Sequence, residues 1–166
     1  MTLFHYIIFT ILIIETASNT ELYSSLFDNT DNITTNIGET PFNNLVKIQR
    51  PLIIRKQCPN CDNNWKDIYY RRLQNYNNIN YYNLLLQTWT NINNTMSVDF
   101  NLYSNLNDSL TDSNPWIFCN FNDNNTIIGA FYNCGPNGPG SNQWFSKTDP
   151  MSKNAKFTLF TGIMIY

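Results

Sequence analysis

The four cysteines, Cys58, Cys61, Cys119 and Cys134, restrict this chain more than any other feature, and what they can do depends on the compartment it reaches. The opening "MTLFHYIIFTILIIETASNT" speaks to that. Tyr6 to Ile14 is an almost wholly apolar run, followed by the small residues Thr16, Ala17 and Ser18. That is the layout of a secretory signal peptide, with a cut expected near Ala17 or Ser18. The positively charged start is reduced to the terminal amine and His5, so a retained signal anchor is the alternative. The run is far short of the ~20 residues a spanning helix needs.

An even number of cysteines in a small secreted chain reads as two disulfides. Cys58-Pro59-Asn60-Cys61 reads as a clip closing a small loop, and Cys119 with Cys134 as a tie between two strands. Four cysteines allow three connectivities, so other pairings stay open. Register also argues against the local pairing. If "NDNN" (122–125) is the turn, Cys119 faces a residue near Ile128, and a bond to Cys134 needs a longer loop or a bulge, for which Gly129 is a site.

The only histidine is His5, inside the expected signal. A mature chain without it has no Ser-His-Asp triad, no Cys-His pair and no His-ligated metal. The formal charge of −2 includes Glu15, and the only adjacent basic pairs are Arg55-Lys56 and Arg71-Arg72. Nucleic acid, which needs a concentrated basic footprint, is not an expected partner. No membrane contact after cleavage and no cofactor are expected either.

Three parts follow: residues 1–18 as signal, 19–42 as an Asn- and Thr-rich flexible tail, and 43–166 as one globular domain. The fold expected for the last is α+β, mostly antiparallel sheet or sandwich with one amphipathic helix, stapled by the disulfides. "NLVKIQRPLIIRK" alternates at Leu45, Ile48, Leu52 and Ile54 as an edge strand, since Pro51 cannot sit in a central one. "WKDIYYRRL" and "SVDFNLYS" read as strands, "NLNDSLTDSN" as a loop or single helical turn. "INYYNLLLQTWTNI" puts Ile79, Tyr82, Leu85, Leu86 and Trp89 at helical spacing. "PWIFCNF" and "TIIGAFYNC" predict a hairpin, "GPNGPGSN" a loop and "AKFTLFTGIMIY" a last strand. Cys61 to Arg72, "CDNNWKDIYYRR", resembles the opening of fibrinogen-like domains, without the glycine pair expected beside Trp65 and over no more than these residues.

Several chemistries fit this inventory. The CPNC motif is a thiol-disulfide exchange site only if a thiolate is exposed and acidified. Two aspartates at a suitable separation cleave a glycosidic bond, and every acid after Gln57 is an aspartate. Asp108, Asp112, Asn122 and Asp123 are loop oxygens for calcium, without an EF-hand pattern. Arg55-Lys56 before Gln57 is a dibasic processing candidate. The chain holds 29 asparagines, side chains that both donate and accept. With flat aromatic faces such amides suit sugar rings, and Trp144, Asn142 and Gln143 beside the Gly/Pro loop are the expected ligand contacts. Acceptor sequons for N-glycosylation stand at Asn32, Asn93, Asn107 and Asn124.

The function expected is a secreted, non-enzymatic binding or structural module for a carbohydrate or cell-surface ligand. The rival expectations are a secreted glycosidase-like hydrolase using aspartates and a thiol-disulfide oxidoreductase using CPNC.

Overall fold

The structure, a computed structural model, describes residues 23–120 and 128–162. Its framework is a six-stranded sheet. The strands are β1 (Tyr23–Asp28), β2 (Thr35–Asn36), β3 (Ile53–Gln57), β4 (Asp67–Arg72), β5 (Phe100–Tyr103) and β8 (Lys156–Phe160). Across the sheet they run β2-β1-β8-β3-β4-β5, and each neighbouring pair is antiparallel. A separate two-stranded ribbon joins β6 (Phe118–Cys119) to β7 (Cys134–Gly135). Three helices appear among the described residues: α1 (Glu39–Ile48), α2 (Tyr81–Leu86) and α3 (Leu106–Thr111). The chain is therefore α+β with a mostly antiparallel sheet, and one sheet layered with helices rather than a sandwich.

Register assigns the two faces. Residues directly opposite one another share a face, so Phe157, Leu159, Ile54, Lys56, Ile68, Tyr70, Arg72, Phe100 and Leu102 form one side. Onto it pack Phe42 and Val46 of α1, Tyr81, Tyr82, Leu85 and Leu86 of α2, and Trp89, Phe131 and Phe145. Trp89 is the hub, edge-on to Tyr70, Phe100 and Phe131. The opposite face carries Ile53, Tyr69, Tyr103 and Phe160, against which Leu106 and Leu110 of α3 pack. Arg71 holds α3 there by donating from Nη1 to the carbonyls of Ser109 (2.8 Å) and Leu110 (3.1 Å).

The disulfides are Cys58–Cys61 and Cys119–Cys134. The first closes the turn after β3, where Cys58 N donates to Lys66 O at 2.7 Å. In the ribbon Cys119 lies opposite Cys134, so the connection is longer than the four residues of "NDNN" and the register difficulty does not arise. Gly129 has a different use. A Cβ there would lie 1.9 Å from the Phe145 carbonyl, so only glycine lets the Ala130–Phe145 bridge form at that spacing. The Gly/Pro loop is built similarly against Trp65. The indole donates to Cys134 O at 2.8 Å, and a Cβ on Gly140 would fall 2.5 Å from its Nε1.

Four expectations are corrected. Residues 23–42, expected as flexible tail, supply β1, β2 and the first turn of α1; β1 finds its partner in β8, at the far end of the chain. Leu45 and Ile48 are helical rather than strand residues, and Phe42 with Val46 forms the buried stripe of α1. Pro51 lies outside β3, which is consequently a central strand between β8 and β4 and not an edge. The helix expected over 79–92 is only α2; Ile79 and Trp89 are buried from its flanks.

Candidate functional site

α2 is short because its ends are capped early. Asn80 Oδ1 accepts from Asn83 N at 3.1 Å, and Gln87 N returns to Asn83 O. Tyr81, Tyr82, Leu85 and Leu86 turn into the core. The remaining positions, Asn80, Asn83, Leu84 and Gln87, follow i, i+3, i+4, i+7 spacing and form a second stripe, in which the three amides are half-buried and Leu84 is buried. On this stripe lies a groove of about 360 Å³, within the lower range of small-ligand sites.

Its lining is amide, hydroxyl and aliphatic, without an ionisable side chain. Asn78, Asn83, Gln87 and Asn93 supply amides, Thr88 and Thr90 hydroxyls, and Ile79, Leu84 and Ile92 the apolar contact. Asn80 is spent on structure. Besides capping α2, it accepts from Asn43 Nδ2 at 2.9 Å and donates to Glu39 Oε1 at 2.6 Å. Asn78, Asn83, Gln87 and Asn93 make no side-chain hydrogen bond among the described residues, so each has donor and acceptor capacity for a ligand.

The far wall is formed by Thr90, Ile92 and Asn93, and a buried network anchors it. Arg72 donates from Nη2 to Asn93 O (2.6 Å) and from Nη1 to Asn94 Oδ1 (3.3 Å) and Tyr70 OH (3.2 Å). Asn94 is fully buried and donates to Thr90 O at 3.0 Å. Asp99 lies 3.7 Å from Arg72 Nη2 and accepts from Thr95 N at 2.9 Å. That backbone donor, ahead of the Asn75 and Gln74 amides and the Arg72 charge, holds the Asp99 carboxyl below its ordinary range. Burial raises the Tyr70 phenol far above its usual value. The wall is thus set by fixed charges and neutral phenols behind it, while the surface it presents is neutral.

The contacts expected beside the Gly/Pro loop do not form this groove. Gln143 is buried. Its Oε1 accepts from Asp62 N at 2.7 Å and its carbonyl from Lys56 Nζ at 2.6 Å. Trp144 is half-buried and edge-on to Tyr132 at 4.6 Å; its Nε1 is buried with no hydrogen-bond partner among the described residues. Asn142 alone of the three is exposed. Aromatic stacking is therefore not what the groove offers.

The other expected residues are distributed as follows. Cys58 is fully buried and Cys61 nearly so, a setting in which neither sulfur is open to exchange. Asp108 accepts from Asn105, Ser113 and Asn114, and Asp112 from Asn101 and Tyr103. These bonds draw both carboxyls below their ordinary value; a general acid at neutral pH needs the opposite shift. Asn122, Asp123 and Asn124 lie outside the described residues. Among the described residues no group of three His, Cys, Asp or Glu side chains is placed to hold a metal. Lys56, half of the dibasic candidate, is fully buried in a central strand, beyond a protease's reach in the folded protein. Asn32, Asn93 and Asn107 are all exposed.

No protein-family model matches this chain, and no curated protein or solved structure is significantly similar to it. The likeness of residues 61–72 to fibrinogen-like domains is carried by none of these comparisons.

Proposed function

We propose that the protein is an exported binding module whose amide-lined groove takes an uncharged, hydroxyl-rich ligand, a glycan. The observation that carries this reading is the lining itself. Four unengaged amides offer paired donors and acceptors to vicinal hydroxyls, and Ile79, Leu84 and Ile92 offer apolar contact to the C–H side of a ring. A charged ligand would find no counter-ion there and would lose hydration without compensation. The two disulfides fit an oxidising compartment, and no helix among the described residues is long and apolar enough to cross a membrane.

A glycan-array screen of purified protein, followed by titration with the best neutral oligosaccharide, tests the reading. Asn83→Ala with Gln87→Ala removes two hydrogen-bonding amides, each contributing about 1 kcal/mol, and is expected to weaken binding about thirtyfold at unchanged far-UV dichroism. Unaltered affinity in the double variant, or selection of sulfated or sialylated glycans only, would overturn it.

A further inference from the structure

Among the groove-lining amides, Asn93 differs from the rest: it is also the acceptor of an Asn-Asn-Thr sequon. Its backbone is in the left-handed region, φ 52°, with its carbonyl tied to Arg72 at 2.6 Å. The next residue, Asn94, is fully buried. This pairing of a tied, left-handed backbone with a buried neighbour directs the Asn93 side chain outward, and Thr95 is exposed beside it. Asn107 differs in one respect, since its sequon hydroxyl, Ser109, is buried and donates to Leu106 O at 2.7 Å. Asn32, although exposed, stands in the turn after β1 and not among the groove residues.

We infer that Asn93 carries an N-linked glycan and that its first sugars lie in the groove, where they compete with any external ligand. The inference rests on the groove being a sugar site in an exported protein. In the attachment step the bond formed joins Asn93 Nδ2 to the anomeric carbon of a lipid-diphosphate-linked oligosaccharide. The bond broken is that between the same carbon and its phosphate oxygen. The lipid diphosphate leaves with the electron pair, and Nδ2 gives up one proton to solvent. The attached sugar keeps hydroxyls and an acetamido group within reach of Asn83 and Gln87, with no translational entropy to lose on seating. A tethered sugar therefore outcompetes a free one at ordinary concentrations.

The full chain, secreted from a eukaryotic host, gives the test. Peptide mapping should find a glycan on Asn93, lost in Thr95→Ala, a substitution outside the groove lining. Hydrogen exchange over residues 78–93 should be slower in the glycosylated protein than in the unglycosylated Thr95→Ala protein, which keeps the Asn93 amide, and the neutral oligosaccharide should bind only the latter. An unmodified Asn93, or exchange equal in the two proteins, overturns the inference. If Asn93 is glycosylated and exchange slows, but no added oligosaccharide binds the Thr95→Ala protein, the seated glycan stands and the proposal of an external ligand falls.

Discussion

Lys56 and Arg72 are both buried cations on the inner face of the sheet, one on β3 and the other on β4. The groups around them differ. Arg72 spreads its guanidinium over Gln74 O, Asn93 O, Asn94 Oδ1 and Tyr70 OH, with the Asp99 carboxylate 3.7 Å away. Lys56 makes one hydrogen bond, to Gln143 O, and has no carboxylate partner among the described residues. Burial alone pushes its ammonium down to about 7. A planar fork with several acceptors can be kept charged inside a protein, whereas a point charge with one acceptor gives up its proton. Both side chains nonetheless perform similar structural work. Arg72 ties the turn 90–95 to the sheet, and Lys56 ties the segment at Gln143 to it.

Removing Arg72 is the severest way to break this comparison. Arg72→Met leaves Asp99 buried without its cation and frees the groove wall, and should lower the stability measured by urea unfolding by about 3–5 kcal/mol. Lys56→Met should act in the opposite direction. At pH 6 wild-type Lys56 is charged in both folded and unfolded chains, and the folded state bears the cost of burying it. An apolar side chain there should therefore gain about 1–3 kcal/mol. The pH profile sharpens the contrast. Between pH 7 and 10.5 the unfolded chain holds the lysine proton and the folded one does not. Wild-type stability should rise across that window by up to about 1.4 kcal/mol per pH unit, and the rise attributable to this site should vanish in Lys56→Met. Asp99→Asn is the mildest change, because Arg72 keeps its four neutral acceptors. A loss of about 1–2 kcal/mol at pH 7 is expected. It should shrink as acid titrates the wild-type carboxyl, whose folded value lies below 3.8.

Neither cation's setting was legible in the sequence. Arg55-Lys56 and Arg71-Arg72 look alike as basic pairs, and strand alternation puts one member of each on either face without saying which face is covered. Local signals served well where partners were close in sequence. The strand over 67–72 followed from its aromatic and β-favouring residues, and α2 from its spacing of Tyr82, Leu85 and Leu86. They failed where the partner was remote. Ser24 and Leu26 carry no period that announces a strand, because β1 is defined by pairing with Phe157 to Phe160. Leu45 and Ile48 matched alternation with Leu52 and Ile54 only because Pro51 was counted inside one element instead of between two. The groove had a faint signal, Asn80, Asn83 and Gln87 at helical spacing. The other wall, held by a buried arginine on β4, had none.

The strand order has a consequence for how the molecule is made. β8, the last of the described strands in chain order, does not finish an edge but lies between β1 and β3. Until residues 156–160 are in place, β1 pairs only with the short β2, that pair is not joined to the other strands, and the edge of β3 that β8 covers stays open. Loss of residues 156–160 would therefore take out the middle of the sheet and leave β2–β1 and β3–β4–β5 as two unjoined parts rather than a trimmed edge.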